Sequence, residues 1–293
     1  MNQTDTDAWT IKRLLEWTAD YFNKQGRDAP RLAAEVLLAE ALECRRIDLY
    51  ARFDQVPAEP HLSRYREWVR RHAQGEPVAY LVGHRDFFSL RFQVTPDVLI
   101  PRPETEELVL LALDEIKSWP SRRWPVLDIG TGSGCLAITL AHQVPELQVI
   151  AVDISPAALA VARVNAEAHD VASRIQFVES DLFAGLADDS RFPMIVSNPP
   201  YVGADDPELD PLVRRYEPHQ ALIGGQDGGE LSKRLIEESA SYLSPGGLLL
   251  IETSPMLAES LLAHAQSTGQ YASCQIRKDL AKLPRILVCR APA

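Results

Sequence analysis

Residues 126–140 read VLDIGTGSGCLAITL, and their reading decides the fold. Val126 to Ile129 is an apolar run of strand length. Gly130, Gly132 and Gly134 follow at alternate positions, and a helix-forming run starts at Cys135. Glycine lets a backbone turn tightly and leaves no Cβ between the main chain and a ligand. A helix that begins directly after such a turn presents free N–H groups to a carboxylate or phosphate. The pattern from Asp128 to Gly134 is D-x-G-x-G-x-G, with Thr131 and Ser133 between the glycines. It differs from the G-x-G-x-x-G dinucleotide fingerprint, because Cys135 stands where the third glycine would fall. No Gly-Lys-Ser/Thr follows, so it is not a P-loop either.

Downstream, strands and helices alternate. LQVIAVDI reads as a strand, SPAALAVARVNAEAH as a helix, and RIQFVES and MIVS as two more strands. A Pro- and Gly-rich loop follows. GGELSKRLIEESASYL is helical, GGLLLIET a strand and MLAESLLAHAQ helical; YASCQIR and RILVCR form a last strand pair. Such alternation predicts a doubly wound α/β domain with a mostly parallel sheet.

Upstream, the period changes. Phe88, Leu90, Phe92 and Val94 alternate with Ser89, Arg91 and Gln93, an extended piece or hairpin that Pro101 and Pro103 end. The segment from Thr105 to Ile116 reads as a helix. Before residue 86 the pattern is helical: Ile11, Leu14, Leu15, Tyr21 and Phe22 share one face, Pro30 opens a second helix, and Gly75 closes a third. The expected organisation is a small helical bundle over 1–85, a hairpin and linker over 86–103, and the α/β domain over 104–293.

Composition narrows the class. The chain has 293 residues, 46% of them hydrophobic, and a formal net charge of −11. The first 90 residues are nearly neutral, so the acidity belongs to the rest. A protein that grips duplex nucleic acid needs many cations at phosphates, and this balance lowers that expectation. No run reaches the roughly 20 apolar residues of a membrane helix. The start, MNQTDTDAW, is polar and acidic, unlike a signal or transit peptide. Cys44, Cys135, Cys274 and Cys289 are widely spaced and read as reduced thiols of a cytoplasmic protein. No metal-ligand spacing occurs among the histidines. A monomer is expected.

Three acids at strand ends point to the ligand. The second strand of the α/β domain ends at Asp153, 23 residues after Gly130, where a carboxylate can accept both hydroxyls of a ribose. The third ends at Asp181, suited to an adenine amino group, with Leu182 offering an apolar surface near the ring. Acids gathered in one crevice suit a cationic nucleoside better than a pyrophosphate. S-adenosylmethionine carries a sulfonium and an ammonium and no phosphate.

The fourth strand ends in Asn198-Pro199-Pro200-Tyr201. Amide and exocyclic aromatic amino nitrogens are weak nucleophiles, because the lone pair is delocalised. The Asn198 side-chain oxygen and the Pro199 carbonyl can accept from such an NH2 group and aim its nitrogen at a methyl carbon. The prolines stiffen the loop, and Tyr201 can pack on a flat group.

LDIGTGSG, VDISPAALAVARVNA, ESDLF and SNPPYV together resemble the class I S-adenosylmethionine-dependent methyltransferases that act on planar nitrogens. FFSLRFQVTPDVLIPRPETEELV, YEPHQALIGGQDGG and the helical N-terminus resemble one branch, the protein-glutamine methyltransferases of peptide chain release factors, the HemK or PrmC family. The resemblance implies a Rossmann-like, seven-stranded, mostly parallel sheet that ends in an antiparallel pair. It implies cofactor contacts from Asp128, from the loop of Gly130, Thr131, Gly132, Ser133 and Gly134, and from Asp153, Asp181, Leu182 and Asn198. It also implies a glutamine clamp from Asn198 to Tyr201. The implied substrate is the glutamine of the Gly-Gly-Gln loop of class 1 release factors, with the helical domain recognising that partner.

Two departures stand out. Relatives often carry an aromatic where this chain has Leu182, and Glu-x-Gly where it has Glu252-Thr253-Ser254. The neighbouring readings are a ribosomal-protein glutamine methyltransferase, an adenine-N6 nucleic-acid methyltransferase, and a non-catalytic binding module on the same scaffold. The chain's own Gly224-Gly225-Gln226 reads as a loop before a helix. RYREWVRRH reads equally as a solvated helix face or as a contact for an acidic partner or RNA. PRPETEE reads equally as a cleft lining or as a rigid linker before a capped helix.

Overall fold

The computed structural model describes residues 8–120 and 124–293. The chain divides into two compact units, Met1–Gly83 and His84–Ala293.

The first unit contains α1 (Ile11–Lys24), α2 (Pro30–Ala41), α3 (Arg46–Ala51), α4 (Glu59–Ala73) and α5 (Val78–Val82). The Thr10 hydroxyl caps α1, accepting from Arg13 N at 3.3 Å. Pro30 occupies the first turn of α2, where its missing N–H leaves no bond unmade. Leu15, Phe22, Leu37, Leu38 and Tyr65 fill the core. Tyr65 donates its hydroxyl proton to Thr18 Oγ1 at 2.8 Å, which satisfies two polar groups inside it. The arginines of RYREWVRRH have partners within this unit. Arg64 donates to the carbonyls of Glu40 and Ala41, and Arg66, Arg70 and Arg71 pair with Glu59, Glu67 and Glu76.

The second unit opens with a hairpin of β1 (His84–Phe87) and β2 (Leu90–Gln93). Phe87 pairs with Leu90, so Phe88 and Ser89 are the turn, with φ of +48° and +64°. A two-residue turn with both residues left-handed matches the twist of its strands. This takes Phe88 out of the alternating strand that the sequence predicts. Next come α6 (Thr105–Lys117), β3 (Val126–Ile129), α7 (Cys135–Gln143), β4 (Val149–Asp153), α8 (Pro156–Ala168), β5 (Ile175–Glu179) and β6 (Phe192–Ser197). The predicted Pro/Gly-rich loop holds short elements: β7 (Val202–Gly203), α9 (Pro211–Tyr216), α10 (His219–Leu222) and β8 (Ile223–Gly225). The unit closes with α11 (Glu230–Ser239), β9 (Leu243–Glu252), α12 (Ala258–Ser267), β10 (Ser273–Lys278) and β11 (Pro284–Arg290).

Seven strands form the main sheet in the order β10-β11-β9-β6-β3-β4-β5. The pairs β9–β6, β6–β3, β3–β4 and β4–β5 are parallel; β11 runs antiparallel to β9 and β10. Side chains alternate between two cores. Val126, Met194, Val196, Leu248 and Leu250 face α6 and α7, which contribute Leu108, Ala112 and Ile138. Leu127, Ile129, Ile195, Leu249 and Ile251 face α11 and α12, which contribute Leu235, Ile236 and Leu261. A strand buried on both faces reads as a continuous apolar run, which is why FPMIVS and GLLLIE carry no polar alternation. The chain winds from β3 outward to β5, then crosses back to lay β6 on the other side of β3. Ligands bind at such a switch point, beyond the carboxyl ends of the strands.

Candidate active site

A cavity of about 770 Å3 opens at that switch point. Gly130, Thr131, Gly132 and Ser133 line it from the end of β3, Asp153 from β4, Asp181 and Leu182 from beyond β5, and Asn198, Pro199 and Pro200 from the end of β6. Pro101, Arg102 and Thr105 line it from the segment that leads into α6.

The glycine loop is shaped for close approach. Gly130 and Gly132 have φ of +73° and +55°, and a Cβ at either would meet no atom nearer than 4.0 Å. Main chain is therefore bared toward the cavity, a cradle that a side chain would fill. Gly134 serves differently and does not line the cavity. Its φ is +83°, and a Cβ there would stand 2.6 Å from Ile138 Cδ1 and 3.2 Å from Ala162 Cβ, so it lets α7 pack against α8.

Asp128 also lies behind the loop, away from the cavity. It is fully buried; Oδ2 accepts from Thr131 Oγ1 at 2.7 Å and from Ala137 N at 3.2 Å. It braces the turn and caps the first turn of α7, in place of the ligand contact that the resemblance implies. Burial pushes its carboxyl group up to about 7, with the nearby Asp153 adding to the rise.

Asp153 reaches the cavity. Its Oδ2 accepts from Gly132 N at 2.8 Å and its Oδ1 from Ser155 N at 2.9 Å, with the Ile154 N–H also directed at the carboxylate, so the group is held in orientation at the cavity. Burial raises its pKa, and the backbone donors oppose that rise.

The predicted third strand ends earlier than expected, at Glu179. The Ser180 hydroxyl donates to Leu182 O at 2.8 Å and accepts from Gly185 N at 2.8 Å, which closes a turn. Leu182, at φ +48°, is only 7% exposed and packs into the core beside Phe183. Asp181 is exposed and pairs with Arg234 at 3.4 Å.

At the end of β6, Asn198 Nδ2 donates to Thr105 Oγ1 at 3.0 Å, while Asn198 Oδ1 is buried with no partner. The amide is thus anchored by its nitrogen and leaves an acceptor open. Ser197 Oγ donates to Ile129 O at 2.7 Å and stitches β6 to β3 just below. Tyr201 does not line the cavity. Val202 joins Ile223 in the β7–β8 ladder, which carries the chain away. Burial, and then the charge of Glu252, push the Tyr201 hydroxyl up to about 12.

The Gly-Gly-Gln of this chain buttresses the same loop. A Cβ on Gly224 would lie 2.3 Å from Pro200 O, and one on Gly228 would lie 2.7 Å from Tyr201 O. Glu217 does similar work for the PRPETEE segment. It is buried, accepts from Ile100 N at 3.2 Å and pairs with Arg102 at 2.5 Å. That segment is a cleft lining; Glu104, at the start of α6, makes no capping bond.

Sequence reasoning missed Thr105, Asn165 and Glu252. Asn165, buried in α8, donates to Ser133 O at 2.8 Å and Gln93 O at 3.0 Å, tying the glycine loop to the hairpin. Its signal was an asparagine inside the apolar helix run VARVNA. Thr105 had no such signal, whereas Glu252 closes the apolar run GLLLIE and matches the glutamate of the relatives' Glu-x-Gly. Among the described residues no cluster of three or more His, Cys, Asp or Glu is placed to hold a metal ion, and no helix is long and apolar enough to cross a membrane.

The seven-stranded sheet with a glycine loop at its switch point is the fold of class I methyltransferases. A methyltransferase from Pyrococcus furiosus shares it, with a TM-score of 0.52 at 20% identity over 76% of this chain and 98% of that one. Residues 13–83 match the family described as PrmC N-terminal domain, and residues 107–212 the one described as Methyltransferase small domain. The release factor glutamine methyltransferase of Rhodopirellula baltica is 48% identical over 98% of both chains, and that of Geobacter sulfurreducens 42% over 96% of both. The chain belongs to the release factor glutamine methyltransferase family.

Proposed function

We propose that this protein transfers a methyl group from S-adenosylmethionine to the side-chain amide nitrogen (N5) of the glutamine in the Gly-Gly-Gln motif of class 1 peptide chain release factors. Family membership supports the reaction. The observation that carries the site is Asn198, a cavity-lining residue with Nδ2 engaged and Oδ1 buried without a partner.

S-adenosylmethionine, when bound, supplies a methyl group made electrophilic by its sulfonium. The bared backbone from Gly130 to Ser133 receives it, with Gly134 and Asp128 holding the loop in shape. Asp153 accepts from the ribose hydroxyls. Asp181 and Leu182 bound the adenine end, where the Asp181–Arg234 pair opens or shares its acceptor. Asn198 Oδ1 and the Pro199 carbonyl accept from the two N–H bonds of the substrate amide, which fixes its nitrogen in line for attack. Pro200 stiffens the clamp, and Tyr201 supports it from behind. The methylated nitrogen is strongly acidic and releases its proton to solvent, so no histidine is required.

We assign recognition of the release factor to the helical N-terminal unit and expect no direct nucleic-acid contact. The four cysteines are free, which suits the cytoplasm, and we expect a monomer.

The test offers the protein labelled S-adenosylmethionine with a release factor, its Gln→Ala variant, a ribosomal protein, and DNA or RNA, each separately. Label on the intact release factor alone is expected; label on nucleic acid, or equal label on the Gln→Ala variant, would overturn the reading. Asn198→Ala should lower kcat by about 100-fold or more while S-adenosylmethionine still binds. Full turnover in that variant would remove the clamp.

A further inference from the structure

An asparagine amide can serve this clamp in only one of its two orientations. With Oδ1 toward the cavity it accepts from an NH2 group; with Nδ2 there, a donor would meet a donor. The choice is set on the far side of the amide. Asn198 Nδ2 donates to Thr105 Oγ1 at 3.0 Å, and Thr105 is 1% exposed, so its own hydroxyl proton must find an acceptor inside the protein. The Thr105 side chain interacts with the carboxyl group of Glu252 at the end of β9, short of full hydrogen-bond geometry. Glu252 is 1% exposed, and neither of its oxygens has a hydrogen-bond partner. A buried carboxyl group left in that state is costly to the fold, which makes its placement behind the clamp meaningful.

We propose, resting on the function proposed above, that Thr105 and Glu252 are positioning residues that hold the Asn198 amide in its substrate-accepting orientation. Ionised Glu252 takes the Thr105 hydroxyl proton as a hydrogen bond, the hydroxyl lone pair receives Asn198 Nδ2, and Oδ1 stays free. Protonated Glu252 donates to Thr105 instead. The hydroxyl then turns its own proton toward the amide, which flips and presents Nδ2 to the cavity. The only chemical change is one proton exchanged between Glu252 and solvent.

Burial pushes the Glu252 carboxyl group up to about 7, against Thr105, Arg285 and Arg102, while Glu104 adds to the rise. The charged and titratable groups around it are Arg102 and Glu104 before α6, Arg285 on β11, Tyr201 after β6 and Cys135 at the start of α7. Burial pushes Tyr201 and Cys135 both up to about 12, so they stay neutral where Glu252 titrates. Asp128, also raised to about 7, is untouched by a change at residue 252.

The experiment measures kcat and KM for release-factor methylation across neutral pH in wild type, Thr105→Ser, Thr105→Val and Glu252→Gln, with S-adenosylmethionine affinity measured alongside. Thr105→Ser should stay within about threefold of wild type, and Thr105→Val should lose about tenfold or more in kcat with unchanged cofactor affinity. Glu252→Gln keeps an oxygen acceptor for Thr105. It should retain turnover above neutral pH and lack the fall in kcat that the proposal expects of wild type below about pH 7. Equal activity of Thr105→Val and Thr105→Ser, or an unchanged acid limb in Glu252→Gln, overturns the proposal. If Thr105→Val loses cofactor affinity, the Glu252→Gln profile decides alone. An active Asn198→Ala enzyme would remove the clamp itself, whereas inactive Asn198→Ala beside fully active Thr105→Val removes only the positioning pair.

Discussion

Gly224→Ala perturbs the clamp without touching the cofactor loop. The added Cβ would lie 2.3 Å from Pro200 O and 2.4 Å from Gly228 O, where ordinary contact begins at 3.4 Å. Both neighbours are main chain and cannot swing aside as a side chain would. Gly224 has no positive φ, so alanine brings no backbone strain and the effect is purely steric. The clash must part the two strands of backbone by about 1 Å. A displacement of that size at a reacting centre costs about 100-fold in rate. Pro200 follows Pro199 and Asn198 directly, and the two proline rings pass the shift on rather than absorb it. We therefore expect kcat to fall about 100-fold, equivalent to about 2.7 kcal/mol of activation free energy. The assay is methyl incorporation into release factor at saturating S-adenosylmethionine, paired with a calorimetric titration of the cofactor. Cofactor affinity should hold, because Gly130 to Ser133 and Asp153 sit on other strands. A variant with kcat within about threefold of wild type, or one that loses only cofactor affinity, would refute the buttress.

Two further expectations follow from the acids of the loop. Asp153→Ala removes an acceptor for the ribose and also frees Gly132 N and Ser155 N, so cofactor Kd should rise about tenfold or more in the same titration; an unchanged Kd would dismiss the ribose role. Asp128 has its pKa raised from the ordinary 3.8 to about 7. The native state then binds more protons than the unfolded chain between those values, and the stability this group contributes, full below about pH 4, is lost as pH rises through 7. Asp128→Asn lacks that loss, so urea melts should show the variant gaining on wild type from about pH 4 to 8. A constant gap across that range would show that the carboxyl group is not raised.

The parts legible in sequence were those with local signatures. The glycine spacing, the acid at Asp153 and the Asn-Pro-Pro turn each follow from a few consecutive residues, and the alternation of strands and helices follows from their periods. What escaped depended on distant partners or on backbone torsions. Thr105 and Asn198 are 93 positions apart, so their bond leaves no mark in either stretch. Phe88 fits the alternation of a strand, yet the hairpin twist required it in the turn. Asp128 looked like its neighbours in the loop, and only the course of α7 shows that it faces inward. Gly224-Gly225-Gln226 reads as a loop before a helix, yet Gly224 and Gly225 belong to β8, and the close carbonyl of Pro200 is what requires glycine at 224.

The strand order has a consequence for synthesis. β6 is inserted between β3, made earlier, and β9, made about 45 residues later. At about 5–20 residues per second, the FPMIVS edge waits roughly 2–9 s with one side unpaired. Such an apolar edge is a template for pairing with another chain. The parallel pairing of β6 with β3 is also intrinsically slow, since it closes a long loop. Glu252, the last residue of β9, is therefore among the last parts of the site to reach place in a growing chain. Until β9 pairs, β6 stays at an open edge of the sheet. The nascent protein passes through a stage in which a strand meant for the middle of the sheet stands exposed at its edge.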